Sequence, residues 1–150
     1  MENNKITRIL FVCLGNICRS PAAHGVMEDV VSAHGMNDVV EIDSAGTYGG
    51  HAGDLPDPRM RTAASRRGYN LTHRARKFRE EDFLQFDKII VMDDMNYENV
   101  SRLAPERLYL NKVYRFVEFC THHPECIPDK RISTQQALLR DLRSLPFCLQ

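Results

Sequence analysis

Two kinds of segment alternate along the chain. Four short runs rich in valine, isoleucine or aromatic residues predict strands near residues 6–13, 39–45, 87–93 and 111–118. Apolar residues recur at helical spacing near residues 21–34, 58–68, 79–85, 95–103 and 134–145. Strands that alternate with helices predict an α/β fold of three layers, with helices on both faces of a four-stranded parallel sheet.

The first predicted strand runs into a segment suited to binding an anion. The apolar residues at 9–12 stop before Cys13, and Pro21 opens the first helical pattern. In a parallel sheet, ligands bind beyond the carboxyl ends of the strands, where the loop after strand one lies. The first N–H groups of a helix have no backbone partner, and the helix dipole adds positive charge there. The loop is therefore a predicted phosphate site.

The eight residues of this loop, CLGNICRS at 13–20, also carry a nucleophile. Gly15 is expected to allow the tight turn that points successive N–H groups at one anion. Arg19 adds a planar guanidinium that can hold a phosphate through two hydrogen bonds. A cysteine at such a site is held as the thiolate, so Cys13 is the predicted nucleophile of a phosphoryl transfer that passes through a phosphocysteine.

Two residues of the loop have plainer alternatives. A free cysteine at the end of a strand is commonly a buried apolar residue, and this is the alternative for Cys13. The hydroxyl of Ser20 has two interpretations. It caps the helix with Pro21 at the first helical position, or it donates to the sulfur of Cys13 and stabilises the thiolate as a leaving group. One hydroxyl can do both.

In these motifs the chain resembles the low-molecular-weight protein tyrosine phosphatases. The similarity runs in order over roughly residues 6–129, through VCLGNICRSP at 12–21, IDSAGT at 42–47, PDPR at 56–59, HRAR at 73–76 and VMDDMN at 91–96. Other phosphatases and rhodanese-like proteins place a similar cysteine and arginine late in the chain, so the early position favours this family. The resemblance implies the strand order 2-1-3-4.

The resemblance also implies roles for single residues. The substrate-binding loop behind the nucleophile consists of Leu14, Gly15, Asn16, Ile17 and Cys18. The side chain of Asn16 holds this loop in a strained geometry, and Ser44 and His73 bond to Asn16. Without the resemblance, His73 is better interpreted as a surface histidine. Asp93 lies behind the loop and bonds to a neighbouring residue without taking part in the chemistry.

Two further implications concern the cleft and its redox chemistry. Tyr48 forms a wall of the cleft against the phenyl ring of the substrate, although an ordinary exposed loop tyrosine fits nearly as well. Gly50 stands where some relatives have a tryptophan. A reversible disulfide between Cys13 and Cys18 protects the nucleophile from over-oxidation. The alternative for Cys18 is a small residue packed under the loop.

The chain departs from the family at its C-terminal end. The general acid of the family comes from a late Asp-Pro followed by two aromatic residues. Asp129 stands at the expected place, but Lys130 and Arg131 follow it. The tail at 130–150 is either native or, as a hypothesis, the product of a frameshift. Sequencing the coding DNA would decide between the two. The tail still has a helical apolar stripe.

Length and composition limit the remaining possibilities. The 150 residues fit a single domain over 1–150, and 20 basic and 20 acidic residues give no net charge. The balance argues against a nucleic-acid or membrane partner. The chain has five cysteines, an odd number, and the nucleophile must be a free thiol. Both points indicate a reducing compartment and therefore a cytoplasmic location. Cys120, His122, His123 and Cys126 match no common zinc spacing, so neither a metal nor another cofactor is expected.

The predicted function is that of a tyrosine phosphatase acting on a phosphotyrosine protein or a small aryl phosphate, with inorganic phosphate as product. Cys13 attacks, Arg19 stabilises the equatorial oxygens, Ser20 assists the sulfur and Asp129 protonates the leaving group. One alternative is a thiol-linked arsenate reductase, which needs a cysteine pair in mid-chain, whereas residues 19–119 contain no cysteine. The other is a phosphate- or phosphotyrosine-binding module with impaired turnover.

Overall fold

The computed structural model describes residues 5–119 of the chain. The strands in this range are β1 (Thr7–Cys13), β2 (Val40–Gly46), β3 (Lys88–Val91) and β4 (Val113–Arg115). The helices are α1 (Arg19–Ala33), α2 (Pro58–Arg66), α3 (Asp82–Gln85) and α4 (Asp94–Ser101). Two 3₁₀ segments, Arg107–Lys112 and Phe116–Phe119, flank β4. Within the described residues no helix is both long enough and apolar enough to cross a membrane.

The four strands form one parallel sheet in the order β2-β1-β3-β4, which confirms the predicted fold class and strand order. β1 lies between β2 and β3, and its last residue, Cys13, is the register partner of Gly46 at the end of β2. The chain passes from β2 over β1 to β3, so the strand order reverses beside β1. The end of β1 is thus the switch point where α/β proteins bind ligands.

The core lies on both faces of the sheet. Ile9 and Phe11 of β1 belong to a cluster with residues of α1 and α2, and Leu10 and Val12 belong to a second cluster with residues of α3 and α4. All four side chains are fully buried. Alternate residues of a strand point to opposite faces, so a strand covered on both sides is apolar throughout. This burial fixes the position from which the 13–20 loop leaves the sheet.

Several element boundaries differ from the predicted ones. α1 begins at Arg19 and not at 21, since the end of the loop is already helical, and a proline is tolerated in the first turn. The strand predicted at 111–118 is limited to Val113–Arg115, because only these residues have register partners on the short strand β3. The helix predicted at 79–85 is limited to Asp82–Gln85. The helix predicted at 134–145 lies outside the described residues.

Candidate active site

The 13–20 loop turns tightly at the carboxyl edge of the sheet. Its turn falls at Asn16, whose φ of 56° lies in the left-handed region and whose side chain is fully buried. Two neighbouring segments hold the loop from outside. The N–H of Tyr48 donates to the carbonyl of Leu14 at 2.8 Å, and the N–H of Asp57 donates to that of Ile17 at 2.6 Å. The strained turn predicted for Asn16 is thus clamped by two segments distant in the chain.

The glycine that this loop requires is Gly46, and the role predicted for Gly15 is wrong. Gly15 is not among the residues of positive φ; its lack of a side chain leaves room for His51, whose Cδ2 would lie 3.2 Å from a Cβ there. A Cβ at Gly46 would come within 2.7 Å of the Leu14 carbonyl oxygen and 2.9 Å of the Asn16 nitrogen. Only glycine allows β2 to pass so close to the loop.

The sulfur of Cys13 receives hydrogen bonds from within the loop. Its Sγ lies 2.9 Å from Oγ of Ser20 and accepts from the backbone N–H of Asn16 at 3.3 Å. Nδ2 of Asn16 donates to the same Ser20 oxygen at 2.8 Å. When Cys13 is a thiolate, its sulfur is an acceptor only, and the proton of Ser20 can point to it rather than to the Ala45 carbonyl at 3.4 Å. Two donors aimed at one sulfur stabilise a thiolate.

The capping interpretation of Ser20 is wrong. The N-cap of α1 is Cys18, and no side chain caps the helix. Ser20 lies inside the first turn, where the backbone N–H groups have no partner in the helix. The Ser20 hydroxyl therefore serves the sulfur of Cys13.

Asn16 is held by the segment between α2 and α3. Its Oδ1 accepts from Nε2 of His73 at 3.1 Å and from the N–H of Arg76 at 3.0 Å. His73 therefore contacts Asn16 as the resemblance implied, and it is not a plain surface histidine. The predicted hydrogen bond between Ser44 and Asn16 is wrong: the Ser44 hydroxyl pairs instead with Nδ1 of His24 at 3.0 Å.

His24, on the buried side of α1, was not singled out from the sequence. Its ring lies 4.8 Å from the ring of His73, centroid to centroid. Burial and then His24 lower the pKa of His73 below its ordinary value, against the effect of Asp43 and of a hydrogen bond with the Ser44 backbone. No sequence motif identifies His24, because its partners, Ser44 on β2 and His73 beyond α2, are distant in the chain.

The guanidinium of Arg19 is oriented from behind. Its Nη1 donates to Oδ2 of Asp93 at 2.8 Å, and the arginine is only 4% exposed. The other oxygen of Asp93 accepts from the N–H of Asn96 at 2.7 Å and caps α4. Asp93 thus lies where the resemblance placed it, and its neighbouring partner is Arg19. A planar donor held in this way is preorganised for a phosphate.

Arg76 joins the loop support to the sheet, a role the sequence did not predict beyond the HRAR motif. Its guanidinium donates to Asp43 on β2 at 3.0 Å and to both oxygens of Asp82 on α3 at 3.0 and 3.1 Å. Burial opposes the charge, but the two carboxylates raise the pKa of Arg76 above its ordinary value. Because Asp82 is fully buried, losing Arg76 would leave its charge unpaired.

The rim of the site consists of Leu14 and Tyr48, which are exposed, and His51, which is half-buried. Tyr48 is 57% exposed and Leu14 41%. The Tyr48 ring meets His51 edge-on at 6.1 Å, and a Cβ at Gly50 would overlap that ring. Gly50 therefore lets the tyrosine lie against the backbone. The structure brings Tyr48 near the loop, as both the wall and the exposed-loop interpretations require.

The remaining predicted site residues divide into two groups. Cys18 is buried and, like Cys13, is not part of a disulfide in the described residues, so the disulfide between them stays a prediction. Ile17 is buried at the side of the loop. Asp129, the predicted general acid, lies outside the described residues, as does the tail that follows it.

Comparison with known proteins identifies one family. The model of the family described as low molecular weight phosphotyrosine protein phosphatase matches residues 8–139. A Dictyostelium discoideum protein with that name is 34% identical, over 94% of this chain and 84% of its own. A protein tyrosine phosphatase structure from Entamoeba histolytica has a TM-score of 0.87 and 37% identity, covering 95% of this chain and 96% of that one.

A third similar protein has a different stated activity. It is the YwlE arginine phosphatase, in a mutant form with a phosphorylated active-site serine. Its structure has a TM-score of 0.82 and 25% identity, covering 95% of each chain. The same fold is thus found with a phosphoryl group on an active-site side chain.

Proposed function

The chain belongs to the low molecular weight phosphotyrosine protein phosphatase family, and we propose that it hydrolyses phosphotyrosine and other aryl phosphate monoesters through a phosphocysteine. One observation carries the proposal. The sulfur of Cys13 lies 2.9 Å from the Ser20 hydroxyl oxygen and 3.3 Å from the backbone nitrogen of Asn16, at the N-terminus of α1. A stabilised sulfur nucleophile and a phosphate cradle therefore coincide.

In the first step, the thiolate of Cys13 attacks phosphorus in line with the phenolic oxygen. The S–P bond forms while the P–O bond to the phenol breaks, and the phenolic oxygen takes a proton from Asp129. Arg19 and backbone N–H groups of the loop bind the equatorial oxygens, on which negative charge accumulates.

In the second step, Asp129 removes a proton from water, and the water oxygen attacks the phosphocysteine. The S–P bond breaks, and inorganic phosphate leaves with the Cys13 thiolate restored. The proton of Ser20 offsets the charge that returns to the sulfur, so this hydroxyl should act most on the second step. Asp129 is assigned the acid and base role from its place in the sequence alone.

The wider setting of the enzyme is part of the same proposal. A single domain over residues 1–150 accounts for the family match, which continues past Asp129 to residue 139. The reaction needs Cys13 as a thiol, which favours a reducing compartment, and we assign the cytoplasm. The family supports a phosphotyrosine protein or small aryl phosphate as partner, and the net charge of zero argues against a nucleic-acid or membrane partner.

The decisive experiment compares Cys13→Ser with the parent on para-nitrophenyl phosphate. We expect the rate to fall below about 10⁻³ of the parent, because the attacking sulfur is lost. Vanadate should still bind, because the cradle remains. Cys148→Ser, outside the motif, is the matched control and should hydrolyse normally. Appreciable turnover by Cys13→Ser would exclude the phosphocysteine route, and a parent that binds vanadate without turnover would indicate a binding module.

A second experiment addresses the acid and the substrate class. Asp129→Ala should slow hydrolysis of a phosphotyrosine peptide by roughly 10²–10⁴-fold and that of para-nitrophenyl phosphate much less, because tyrosine is the poorer leaving group. Equal rates of parent and variant on both substrates would remove Asp129 from the mechanism. Phosphoarginine is the comparison substrate, since one structural neighbour is an arginine phosphatase. A higher kcat/KM on phosphoarginine would change the substrate class while leaving the nucleophile in place.

A further inference from the structure

Two imidazoles and a carboxylate meet next to Asn16. They belong to His24 on α1, Asp43 on β2 and His73 in the segment between α2 and α3, and one ligand atom of each lies within 4.8 Å of the others. We propose that these three side chains bind a zinc ion at a site that takes no part in the phosphoryl transfer. The three residues are far apart in the sequence, so no short motif announces the site.

Both imidazoles are oriented by bonds on their far sides. Nε2 of His24 pairs with Oε1 of Glu28 at 2.9 Å, which leaves Nδ1 facing β2. Nδ2 of Asn16 donates to Ser20, so Oδ1 of Asn16 is an acceptor and Nε2 of His73 donates to it. The Nδ1 atom of His73 then faces Oδ1 of Asp43 at 3.6 Å. A histidine that donates through one nitrogen and binds through the other is the usual arrangement at metal sites.

The charges of the cluster suit a divalent ion. Two neutral imidazoles and one carboxylate carry one negative charge, and the guanidinium of Arg76 holds the Oδ2 atom of Asp43 while Oδ1 faces the histidines. Two protonated imidazoles at 4.8 Å would repel each other. A divalent ion bound by the two Nδ1 atoms and Oδ1 of Asp43 is paired with this carboxylate. Imidazole nitrogen and carboxylate oxygen are ligands that zinc prefers.

The size of the cluster and its access to solvent also suit a zinc ion. Zinc bonds of about 2.0–2.2 Å place tetrahedral ligand atoms about 3.3 Å apart. The three side chains must therefore rotate to bring their ligand atoms closer than the present limit of 4.8 Å. Asp43 is 33% exposed and His73 20%, which leaves them room to turn. A cavity of about 230 Å³ lined by His24, Glu28 and His73 gives an ion a route to the cluster. Water or the Ser44 hydroxyl completes the coordination.

The test uses Zn²⁺ on a chain in which three of the five cysteines are replaced, Cys13→Ser/Cys120→Ser/Cys126→Ser, because thiolates also bind zinc. Calorimetric titration should give one Zn²⁺ per chain. Co²⁺ should give the visible absorption of a tetrahedral site without thiolate-to-metal charge transfer. Adding His24→Gln should abolish this binding. Because this background lacks the nucleophile, the result is independent of the proposed phosphatase activity.

Two further variants separate ligand loss from misfolding. Glu28→Gln changes a side chain that is 60% exposed, and it should weaken zinc binding about 10–100-fold through the orientation of His24. His34→Gln, an exposed histidine after the end of the same helix, is the control and should bind as before. The proposal is overturned if the background chain binds no zinc, or if its zinc affinity is unchanged by His24→Gln or by Glu28→Gln.

Discussion

The floor and the rim of the candidate site differ in how firmly their side chains are held. The floor residues Asn16, Arg19 and Ser20 are at most 4% exposed, and each has a hydrogen-bond partner at 2.8 Å. At the rim, Leu14 and Tyr48 are 41% and 57% exposed. Preorganised donors stabilise the charge of a transition state without reorganisation, whereas loosely held side chains adapt to a substrate. Changes in the floor should therefore reduce kcat, and changes in the rim should alter KM.

Arg19→Lys is expected to have the largest effect. Lysine keeps the positive charge but loses the planar pair of donors, so kcat/KM on para-nitrophenyl phosphate should fall by roughly 10²–10³-fold. Arg59→Lys is the control, because Arg59 is exposed and pairs with Asp57 outside the loop; it should retain nearly full activity. A lysine at 19 that preserves most of the rate would mean that Arg19 acts only as a charge.

Ser20→Ala comes next. It removes the hydroxyl proton from the sulfur of Cys13 and the acceptor from Nδ2 of Asn16. A hydrogen bond to a charged group is worth about 1.5–3 kcal/mol, so we expect a loss on the order of 10–100-fold in kcat. Rapid-quench measurements should show more phosphocysteine in the steady state, because the sulfur is then the poorer leaving group. A slower first step with no accumulation would contradict this assignment.

The floor also shows what the sequence could predict. β1 is buried on both faces, so its apolar run, the loop after it and the cysteine and arginine of that loop all appear in one continuous stretch. Physical rules that act locally are sufficient there. The same local rules left two roles open for Ser20, helix cap and partner of the sulfur, and only the folded loop decides between them, in favour of the sulfur.

The support of the loop could not be predicted because its contacts are made across the sheet. The need for Gly46 follows from its register opposite Cys13, and the Arg76 ion pairs join β2 to α3. The strand predicted at 111–118 was too long for a similar reason, since the length of β4 is set by its partner β3. In each case the deciding partner is a distant residue.

Tyr48→Ala examines the rim. Stacking of an aromatic pair is worth about 0.5–1.5 kcal/mol, so KM for a phosphotyrosine peptide should rise about 2–10-fold while kcat changes little. Tyr48→Phe keeps the ring and should resemble the parent. Gly50→Ala offers an independent test, because the added methyl group would displace the Tyr48 ring and should raise KM in the same direction. Unchanged KM values in both variants would make Tyr48 an ordinary exposed tyrosine.

The smallest effect is expected at Asp57, which caps α2 and ties that helix to the loop through its N–H. The Arg59 side chain, opposed by burial, lowers the pKa of Asp57 below its ordinary value of 3.8. The folded state then binds this proton less tightly than the unfolded state, so the carboxylate stabilises the fold above pH 3.8, and the gain is lost as the pH falls through the lower, folded pKa.

Asp57→Asn keeps the capping oxygen but not the charge, so it should be slightly less stable than the parent at pH 7 and equally stable in acid. Asp57→Ala also loses the cap and should cost about 1 kcal/mol at either pH. Urea unfolding at both pH values, with the exposed Asp38→Asn as control, measures these differences. A gap between parent and Asp57→Asn that persists in acid would mean that packing, and not charge, is what the carboxylate contributes.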